Sequence, residues 1–201
     1  MASKSSLSTA GVAAIPRPDP NTYWLVAGRL LAGEYPGQAD LQGARGKVAA
    51  FLRAGITTFI DLTEPGELRP YEPLLPWDTV EYRRLPIRDL SVPTDAGHLL
   101  AILDAMDAAL AAGRNVYVHC WGGIGRTGTV VACWLQRHGR RPDAALAELA
   151  GHWRTVAKRH RAPRSPETDE QIRWVQRWPQ TLAAFSAGAT PAATPIPDLL
   201  P

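Results

Sequence analysis

The fold is decided by one stretch of the chain, NVYVHCWGGIGRTGTVVACWLQRHG, which occupies residues 115–139. It opens with a β-branched and aromatic run over residues 115–118, which is typical of a buried strand. Residues 129–138 have the apolar spacing of a helix, and Gly139 marks its end. Because a glycine-rich loop joins the two halves, the stretch predicts a strand, a loop and a helix in succession.

The loop combines three groups that can bind and attack a phosphate. A helix N-terminus presents unpaired backbone N–H groups and a partial positive charge, and Gly122, Gly123 and Gly125 allow these amides to approach a dianion. Arg126 can hold two phosphate oxygens through its planar fork. Positive surroundings favour the thiolate form of a cysteine, so we expect Cys120 to be a nucleophile that attacks bound phosphorus.

The pattern Cys-x5-Arg-Thr preceded by His resembles the signature of the cysteine-based protein tyrosine phosphatase superfamily. The sequence CWGGIGRTG of residues 120–128 is most similar to its compact, kinase-associated-phosphatase-like dual-specificity branch. The resemblance extends loosely over residues 22–180. It implies a protein-tyrosine-phosphatase-like α/β fold and an enzyme that hydrolyses phosphate monoesters through a phosphocysteine, without a cofactor or metal. The alternative for this stretch is a glycine-rich turn around an inert buried cysteine.

The resemblance also assigns roles to individual residues. It implies that Cys120 and Arg126 are catalytic, that Thr127 helps the sulfur to leave, and that His119 orients the loop. By themselves, Thr127 could cap the helix and His119 could be a satisfied core residue. The expected substrate-binding residues are Trp121, Gly122, Gly123, Ile124, Gly125 and Arg126. The side chain of Trp121 either lines the mouth of the pocket or packs beneath the loop.

A second catalytic group must protonate the leaving oxygen. Asp89 lies 31 residues before Cys120 in a proline-bounded loop, and its pattern Pro-Ile-x-Asp-x-x-x-Pro resembles the mobile acid loop of these phosphatases. Asp89 is therefore the expected general acid and, in the second step, the general base. The alternatives are that Asp89 is a solvated turn residue, or that Asp95 supplies the acid, although Asp95 or Thr94 also suits the cap of the next helix.

Residues 165–174 resemble the glutamine loop of tyrosine phosphatases, in which Gln-Thr-x-x-Gln is usual. Glu167 replaces the first glutamine, so the role of positioning water is not supported here. Gln171 matches the second position and is a weak candidate. The alternative is an ordinary helix start, with acidic residues at its positive end.

Length and composition favour one domain with tails. The chain has 201 residues, of which 45% are hydrophobic, enough for one sizeable core. We predict a flexible tail over residues 1–20, a phosphatase domain over residues 21–186 and a disordered tail over residues 187–201. Strands are predicted in residues 23–31, 56–62 and 79–87, and helices in residues 40–53, 95–112, 143–160 and 167–184. This alternation predicts an α/β domain, with a mostly parallel central sheet of four to five strands flanked by helices on both faces.

The formal net charge is only +3, yet residues 137–164 hold eight Arg and Lys against two acidic residues. This basic segment either contacts an anionic surface or forms a solvated helical face, and the second interpretation is favoured. Since no nucleic-acid motif accompanies the segment, we expect no nucleic-acid partner. No apolar run is long enough to cross a bilayer.

Two cysteines, Cys120 and Cys133, indicate neither a disulfide framework nor a zinc site. A reducing compartment fits an enzyme that needs a free thiol, so we expect a cytoplasmic protein, and we expect a monomer. Cys133 is interpreted as a small buried residue, with a protective bond to oxidised Cys120 as the alternative.

The expected substrate is a phosphorylated protein carrying phosphotyrosine and, as an open possibility, phosphoserine or phosphothreonine. The loop has no lysine of the kind that phosphoinositide-directed relatives place there, which favours protein over lipid. Two alternatives stay open. One is a phosphoinositide or small-metabolite phosphatase on the same scaffold, and the other is a module that binds phosphorylated partners without turnover.

Overall fold

The computed structural model describes residues 15–188, which form five β-strands and five α-helices. The strands are β1 Thr22–Val26, β2 Leu30–Gly33, β3 Thr58–Asp61, β4 Glu81–Arg84 and β5 Val116–His119. The helices are α1 Leu41–Arg53, α2 Ala96–Ala111, α3 Gly125–Arg137, α4 Pro142–Trp153 and α5 Asp169–Gly188. Two 3₁₀ helices, Glu72–Leu74 and Ala157–His160, lie in the connections.

All five strands belong to one sheet, in the order β1-β2-β5-β3-β4. Only β1 and β2 pair antiparallel, and the remaining pairs are parallel. The mostly parallel α/β fold predicted from the sequence is therefore confirmed. In the register of the sheet, His119 at the end of β5 lies between Gly33 of β2 and Asp61 of β3. The loops that follow these three strands consequently meet at the carboxyl edge, where open α/β sheets bind their ligands.

Helices cover both faces of the sheet, because each face carries its own apolar layer. On one face, Phe51 of α1 packs on Phe59 and Tyr117, and the ring centroids of Phe51 and Tyr117 are 4.4 Å apart. On the other face, α2 to α5 enclose the larger core, which includes the fully buried Trp134. A strand such as β5, buried over its whole length, is the expected result of a sheet covered on both sides.

Two helix boundaries differ from the sequence prediction in ways that affect the site. Helix α3 begins at Gly125 rather than at residue 129, so that its first turn contains Arg126 and Thr127. The predicted helix over residues 143–160 is wrong as one continuous element, since α4 ends at Trp153. The Ala157 N–H donates to the carbonyl of Pro20 at 3.0 Å, a donor that a continuous helix would have used internally.

The first described residues lie against the domain. Arg17 donates to the carbonyl oxygens of Thr22 at 2.8 Å and Thr155 at 3.1 Å. The remainder of the two predicted tails, residues 1–14 and 189–201, lies outside the described residues, and the boundaries 21–186 stay a prediction. Within residues 15–188, no helix has both the length and the apolar character needed to cross a lipid bilayer.

Candidate active site

The loop between β5 and α3 rests directly on the end of β2. Gly123 has a φ of 70°, in the left-handed region that favours glycine. A Cβ atom at this position would lie 2.3 Å from the carbonyl carbon of Gly33. Position 123 therefore requires a glycine, both because of its backbone conformation and because the neighbouring strand approaches so closely.

Donors from three other segments hold carbonyl groups of this loop from outside. They are the Tyr35 N–H to Trp121 O at 2.8 Å, Lys158 Nζ to Gly122 O at 3.0 Å, and Ser165 Oγ to Ile124 O at 2.7 Å. Because a peptide unit is planar, a carbonyl fixed on one side leaves the opposing N–H facing the other way. In the part of the chain that the structure describes, no backbone N–H of residues 121–127 donates to a protein acceptor outside α3. The backbone N–H groups of the loop lie at the N-terminus of α3, and together they form a site suited to an anion.

A cavity of about 240 Å³ opens over the loop. Its lining includes Cys120 and Arg126, which are 3% and 2% exposed. The other lining residues are Asp89, Leu90, Trp121, Gly122, Ile124, Gly125 and Glu167. Thus all of the predicted substrate-binding residues line the cavity except Gly123, which packs against β2. One hollow brings together the thiol, the guanidinium and the predicted acid.

The guanidinium of Arg126 is oriented by an ion pair that the sequence did not predict. Its Nη1 and Nη2 donate to the two carboxylate oxygens of Glu67 at 2.7 and 2.6 Å, and Nη1 also donates to the carbonyl of Ile87 at 3.1 Å. Burial would raise the pKa of Glu67, but the hydrogen bonds and charge of Arg126 outweigh it and hold that pKa below its ordinary value. The sequence could have indicated Glu67 only through its position in the loop after β3, because β3 is the strand beside β5.

Asp89 reaches the cavity, whereas Asp95 does not. Oδ1 of Asp89 lies 2.8 Å from Nη2 of Arg126, and the side chain is 47% exposed. The next residue, Leu90, has a φ of 58°, which is uncommon outside glycine and occurs often at functional sites. Asp95 instead caps α2 by accepting from the His98 N–H at 2.8 Å, a hydrogen bond that lowers the pKa of Asp95.

Thr127 is buried in the first turn of α3, and its Oγ1 has no hydrogen-bond partner among the described residues. The N-cap position of α3 is Ile124, which offers no side-chain cap. The alternative that Thr127 merely caps the helix is thus not what the structure shows. A buried, unpartnered hydroxyl one residue after Arg126 is available to a group bound in the loop.

His119 is fully buried beneath the loop in a network of polar side chains. Its Nε2 lies 2.7 Å from Tyr71 Oη, and its Nδ1 lies 3.3 Å from the Cys120 carbonyl and 3.9 Å from Asp61 Oδ1. Burial lowers the pKa of His119, although the charge of Asp61 opposes the shift. Tyr82 donates to Asp61 Oδ2 at 2.8 Å. Sequence reasoning found His119 but neither Asp61 nor Tyr71, because these contacts join distant parts of the chain.

Gln171 is buried and joins two loops that flank the cavity. Its Oε1 accepts from the N–H groups of Glu167 at 3.1 Å and Thr168 at 3.0 Å, and its Nε2 donates to the carbonyl of Ser91 at 2.9 Å. Ser91 belongs to the loop that carries Asp89. Gln171 therefore ties the position of this loop to the start of α5, while Glu167 itself lines the cavity.

A cluster of three charged side chains, Glu34, Lys47 and Lys158, supports the loop at Gly122. The carboxylate of Glu34 contacts the ammonium groups of both Lys47 and Lys158. Burial would raise the pKa of Glu34, but these two lysines hold it below its ordinary value. The three side chains also line a neighbouring cavity of about 530 Å³, which shares Trp121 with the smaller one. Because Trp121 is 56% exposed between the two cavities, it lies at the mouth and not beneath the loop.

Both cysteines are unpaired. Cys133 is buried in α3, where burial raises the pKa of its thiol, so it is the small buried residue expected from the sequence. Among the described residues, no group of three or more His, Cys, Asp and Glu side chains has the arrangement of a metal site.

Residues 19–175 match the family model of the dual-specificity-type (DSP-PTPase) phosphatase domain of the Swiss Army Knife proteins, PTP-SAK. The chain belongs to this family. Its membership of the cysteine-based tyrosine phosphatase superfamily, predicted from residues 119–128, is thereby confirmed.

Individual members of the superfamily resemble this DSP-PTPase domain at moderate identity. Phosphatidylglycerophosphate phosphatase PTPMT2 of Arabidopsis thaliana is 33% identical over 131 residues, which cover 65% of this chain and 53% of that protein. The structure of Tk-PTP in its active form superposes with a TM-score of 0.64 at 26% identity, covering 80% of this chain and 97% of that one. The kinase-associated phosphatase KAP, crystallised with a serine in place of its catalytic cysteine, has a TM-score of 0.66 at 21% identity, covering 77% and 88%.

The chain spans about half the length of the curated relatives that it matches, 44% of one and 53% of another. At 21% identity the likeness to KAP shows the fold alone. The phosphatase family and the fold are therefore shown, and the choice of substrate has to be argued from the site.

Proposed function

We propose that this protein is a phosphoprotein phosphatase that hydrolyses phosphate monoesters in two steps through a phosphocysteine. The observation that carries the proposal is the shared cavity, in which Cys120, Arg126 and Asp89 surround a space bordered by free backbone N–H groups. In the first step the thiolate of Cys120 attacks phosphorus, and the bond to the leaving oxygen breaks as Asp89 donates its proton to that oxygen.

In the second step, Asp89 accepts a proton from water, whose oxygen attacks phosphorus and displaces the sulfur. Inorganic phosphate leaves and the thiolate of Cys120 is restored. The hydroxyl of Thr127, which has no other partner among the described residues, supports this role by being available to donate to the thiolate. Arg126 and the loop amides hold the phosphoryl oxygens throughout. Because the transition state of phosphoryl transfer is loose, positioning and charge stabilisation supply most of the acceleration. This scheme requires no metal ion.

The ion pair between Asp89 and Arg126 belongs to the site as it is before substrate binds. A phosphate dianion in the cavity would replace the carboxylate of Asp89 as an ionic partner of the Arg126 guanidinium. Substrate binding is thus expected to release the Asp89 side chain from Arg126, so that it can reach the leaving oxygen.

The mouth of the cavity supports a protein substrate that carries an aromatic phosphoester. Leu90 and Trp121 are 54% and 56% exposed, and both line the cavity. Two large apolar side chains at the border of one cavity offer a surface against which an aromatic ring can pack. In this proposal they contact the ring of phosphotyrosine, and a dual specificity that includes phosphoserine or phosphothreonine belongs to the same proposal.

A lipid substrate is the second candidate, because the relative PTPMT2 is named a phosphatidylglycerophosphate phosphatase. The two candidates predict different preferences. Release of phosphate from phosphotyrosine peptides, phosphothreonine peptides, phosphatidylglycerophosphate and phosphoinositides should be compared under one set of conditions. Higher kcat/KM on either lipid than on the peptides would replace the protein substrate by the lipid one.

The mechanism is tested by hydrolysis of an aryl phosphate in the presence of a chelator. We expect no detectable turnover for Cys120→Ser and a loss of about 10²- to 10⁴-fold for Asp89→Ala, the usual contribution of a general acid. Asp95→Asn is the matched control, since it removes a nearby carboxylate that does not line the cavity, and it should retain activity. Undiminished turnover in Cys120→Ser would assign the reaction to another nucleophile, and no turnover in wild type would leave only a phosphate-binding module.

A further inference from the structure

One residue of the basic segment 137–164 directly supports the catalytic loop, residues 120–127. Arg137 and Arg140 pair with carboxylates elsewhere in the fold, whereas Arg154 and Arg159 have no carboxylate partner in the described part of the chain. Lys158 differs from these arginines, because its ammonium group contacts the Glu34 carboxylate and also donates to a carbonyl of the loop at 3.0 Å. The placement of Lys158 therefore bears on the orientation of the loop.

Lys158 belongs to the short 3₁₀ helix Ala157–His160, which the N-terminal segment of residues 15–21 holds in place. The backbone N–H of Lys158 donates to Oδ1 of Asn21 at 3.1 Å, and the N–H of Ala157 donates to the carbonyl of Pro20 at 3.0 Å. The first N–H groups of a helix have no acceptor within that helix, so Asn21 and Pro20 supply the acceptors that it lacks. These two hydrogen bonds fix the backbone from which the Lys158 side chain extends.

Asn21 also holds the end of β2, on which the catalytic loop rests. The carbonyl of Asn21 accepts from the Glu34 N–H at 3.3 Å. A Cβ atom at Gly33 would lie 2.6 Å from this carbonyl oxygen, and Gly33 is the residue against which Gly123 packs. Asn21 thus joins two supports of the loop, which are the end of β2 and the 3₁₀ helix that carries Lys158.

A turn closed by Asp19 fixes Asn21 itself. Oδ1 of Asp19 accepts from the Asn21 N–H at 2.7 Å, a contact between residues two apart that is typical of an Asx-turn. Oδ2 of Asp19 lies 3.3 Å from Nζ of Lys47, which ties the turn to α1. Among the described residues, Nδ2 of Asn21 makes no hydrogen bond, so its side chain acts only as an acceptor.

We propose that Asn21 is a positioning residue for the catalytic loop, which acts through Lys158 to hold the Gly122 carbonyl on the outer side of the loop. The inference rests on the proposed function. Because a peptide unit is planar, a carbonyl held by Lys158 leaves the N–H of Gly123 on the opposite side, where the loop binds its anion. Without the Asn21 acceptor the 3₁₀ helix is less firmly held, and this peptide unit is free to rotate its carbonyl toward the phosphate.

The test compares wild type, Asn21→Ala and Asn21→Asp in hydrolysis of an aryl phosphate and in inhibition by tungstate, an unreactive oxyanion. In Asn21→Ala we expect kcat/KM to fall roughly 3- to 10-fold and the inhibition constant of tungstate to rise by a similar factor, which corresponds to one hydrogen bond. Asn21→Asp keeps an acceptor oxygen and should restore both values. A folded Asn21→Ala enzyme with the wild-type inhibition constant, or an equal loss in Asn21→Asp, would overturn the inference.

A double variant tests the route through Lys158. Asn21→Ala/Lys158→Met should be no more impaired than Lys158→Met, because both changes act on the same carbonyl. Additive losses in kcat/KM would show that Asn21 does not act through Lys158.

A stability control separates positioning from loss of folded protein. Asp107→Asn weakens an ion pair with Arg137 that lies between α2 and α3, away from the catalytic loop. It should lower the unfolding midpoint and keep the wild-type inhibition constant of tungstate. If Asp107→Asn weakened inhibition as much as Asn21→Ala does, the effect of Asn21 would be one of stability, and the inference would be wrong.

Calorimetric titration with tungstate tests the inference even if no substrate is turned over. Tighter binding to wild type and Asn21→Asp than to Asn21→Ala would support positioning of the loop independently of hydrolysis. Equal affinity in all three proteins, or no binding by any of them, would refute it.

Discussion

The substitution Glu67→Gln tests whether the buried ion pair prepares Arg126 for phosphate. Glu67 accepts two hydrogen bonds from Arg126, at 2.6 and 2.7 Å, and its side chain is 13% exposed. Glutamine keeps one acceptor but turns an NH₂ group toward a guanidinium donor, so one charge-assisted bond is lost. Such a bond is worth about 1.5–3 kcal/mol, and we expect kcat/KM to fall by roughly 10- to 100-fold if that energy orients Arg126 in the transition state.

The assay is steady-state hydrolysis of an aryl phosphate, with the unfolding midpoint measured in parallel. Glu64→Gln is the matched control, since Glu64 lies in the same loop with an exposed side chain and should behave as wild type. Burial of Arg126 means that some thermal stability is lost as well, because an unpaired buried charge is costly. A folded Glu67→Gln enzyme with wild-type kcat/KM would refute the view that this pair orients the guanidinium.

Other predictions concern the network around the loop. The folded-state pKa of His119 lies below its ordinary 6.5, so the unfolded chain takes up a proton first as pH falls, and stability should decline below about pH 6.5 by up to about 1.4 kcal/mol per pH unit. His119→Gln should flatten this part of a plot of unfolding midpoint against pH, and an unchanged slope would contradict the assignment. Lys158→Met removes the donor to the Gly122 carbonyl and should lower kcat/KM by about 10-fold, measured on an aryl phosphate. Gln171→Leu should reduce kcat in wild type but cause little further loss in Asp89→Ala, and additive losses would show that it does not act through the acid loop.

Local sequence was enough to predict the central part of the candidate site. Cys120, Arg126 and the glycines between them occupy one turn of chain, and their proximity follows from covalent geometry and the strand-to-helix setting. Asp89 was also predicted, because its proline-bounded loop resembles the acid loop of the family. The structure brings Cys120, Arg126 and Asp89 to one cavity, and their catalytic roles stay a prediction.

The sequence did not predict the contacts that Glu67, Lys158 and Ser165 make with the loop, because each of these contacts joins residues far apart in the chain. Arg126 and Glu67 are 59 residues apart, and Ser165 and Ile124 are 41 apart. Which polar residue approaches a given carbonyl depends on the packing of whole elements, and no local pattern records it. The same reason explains the error over residues 143–160, where contacts with the N-terminal segment end a helix that local propensity would continue.

The amino-acid sequence by itself determined the class of fold, the order of its main elements and the residues of the loop between β5 and α3, since hydrophobic periodicity and glycine placement act over a few residues. Tertiary structure alone decided which carboxylate faces Arg126, which donors hold the carbonyls of the loop, and which of the basic residues remain uncompensated. The physical reason is that hydrogen bonds and ion pairs act over a few ångströms in space. Their partners are therefore chosen only when β2, β3 and the segment before α5 meet around the carboxyl end of β5.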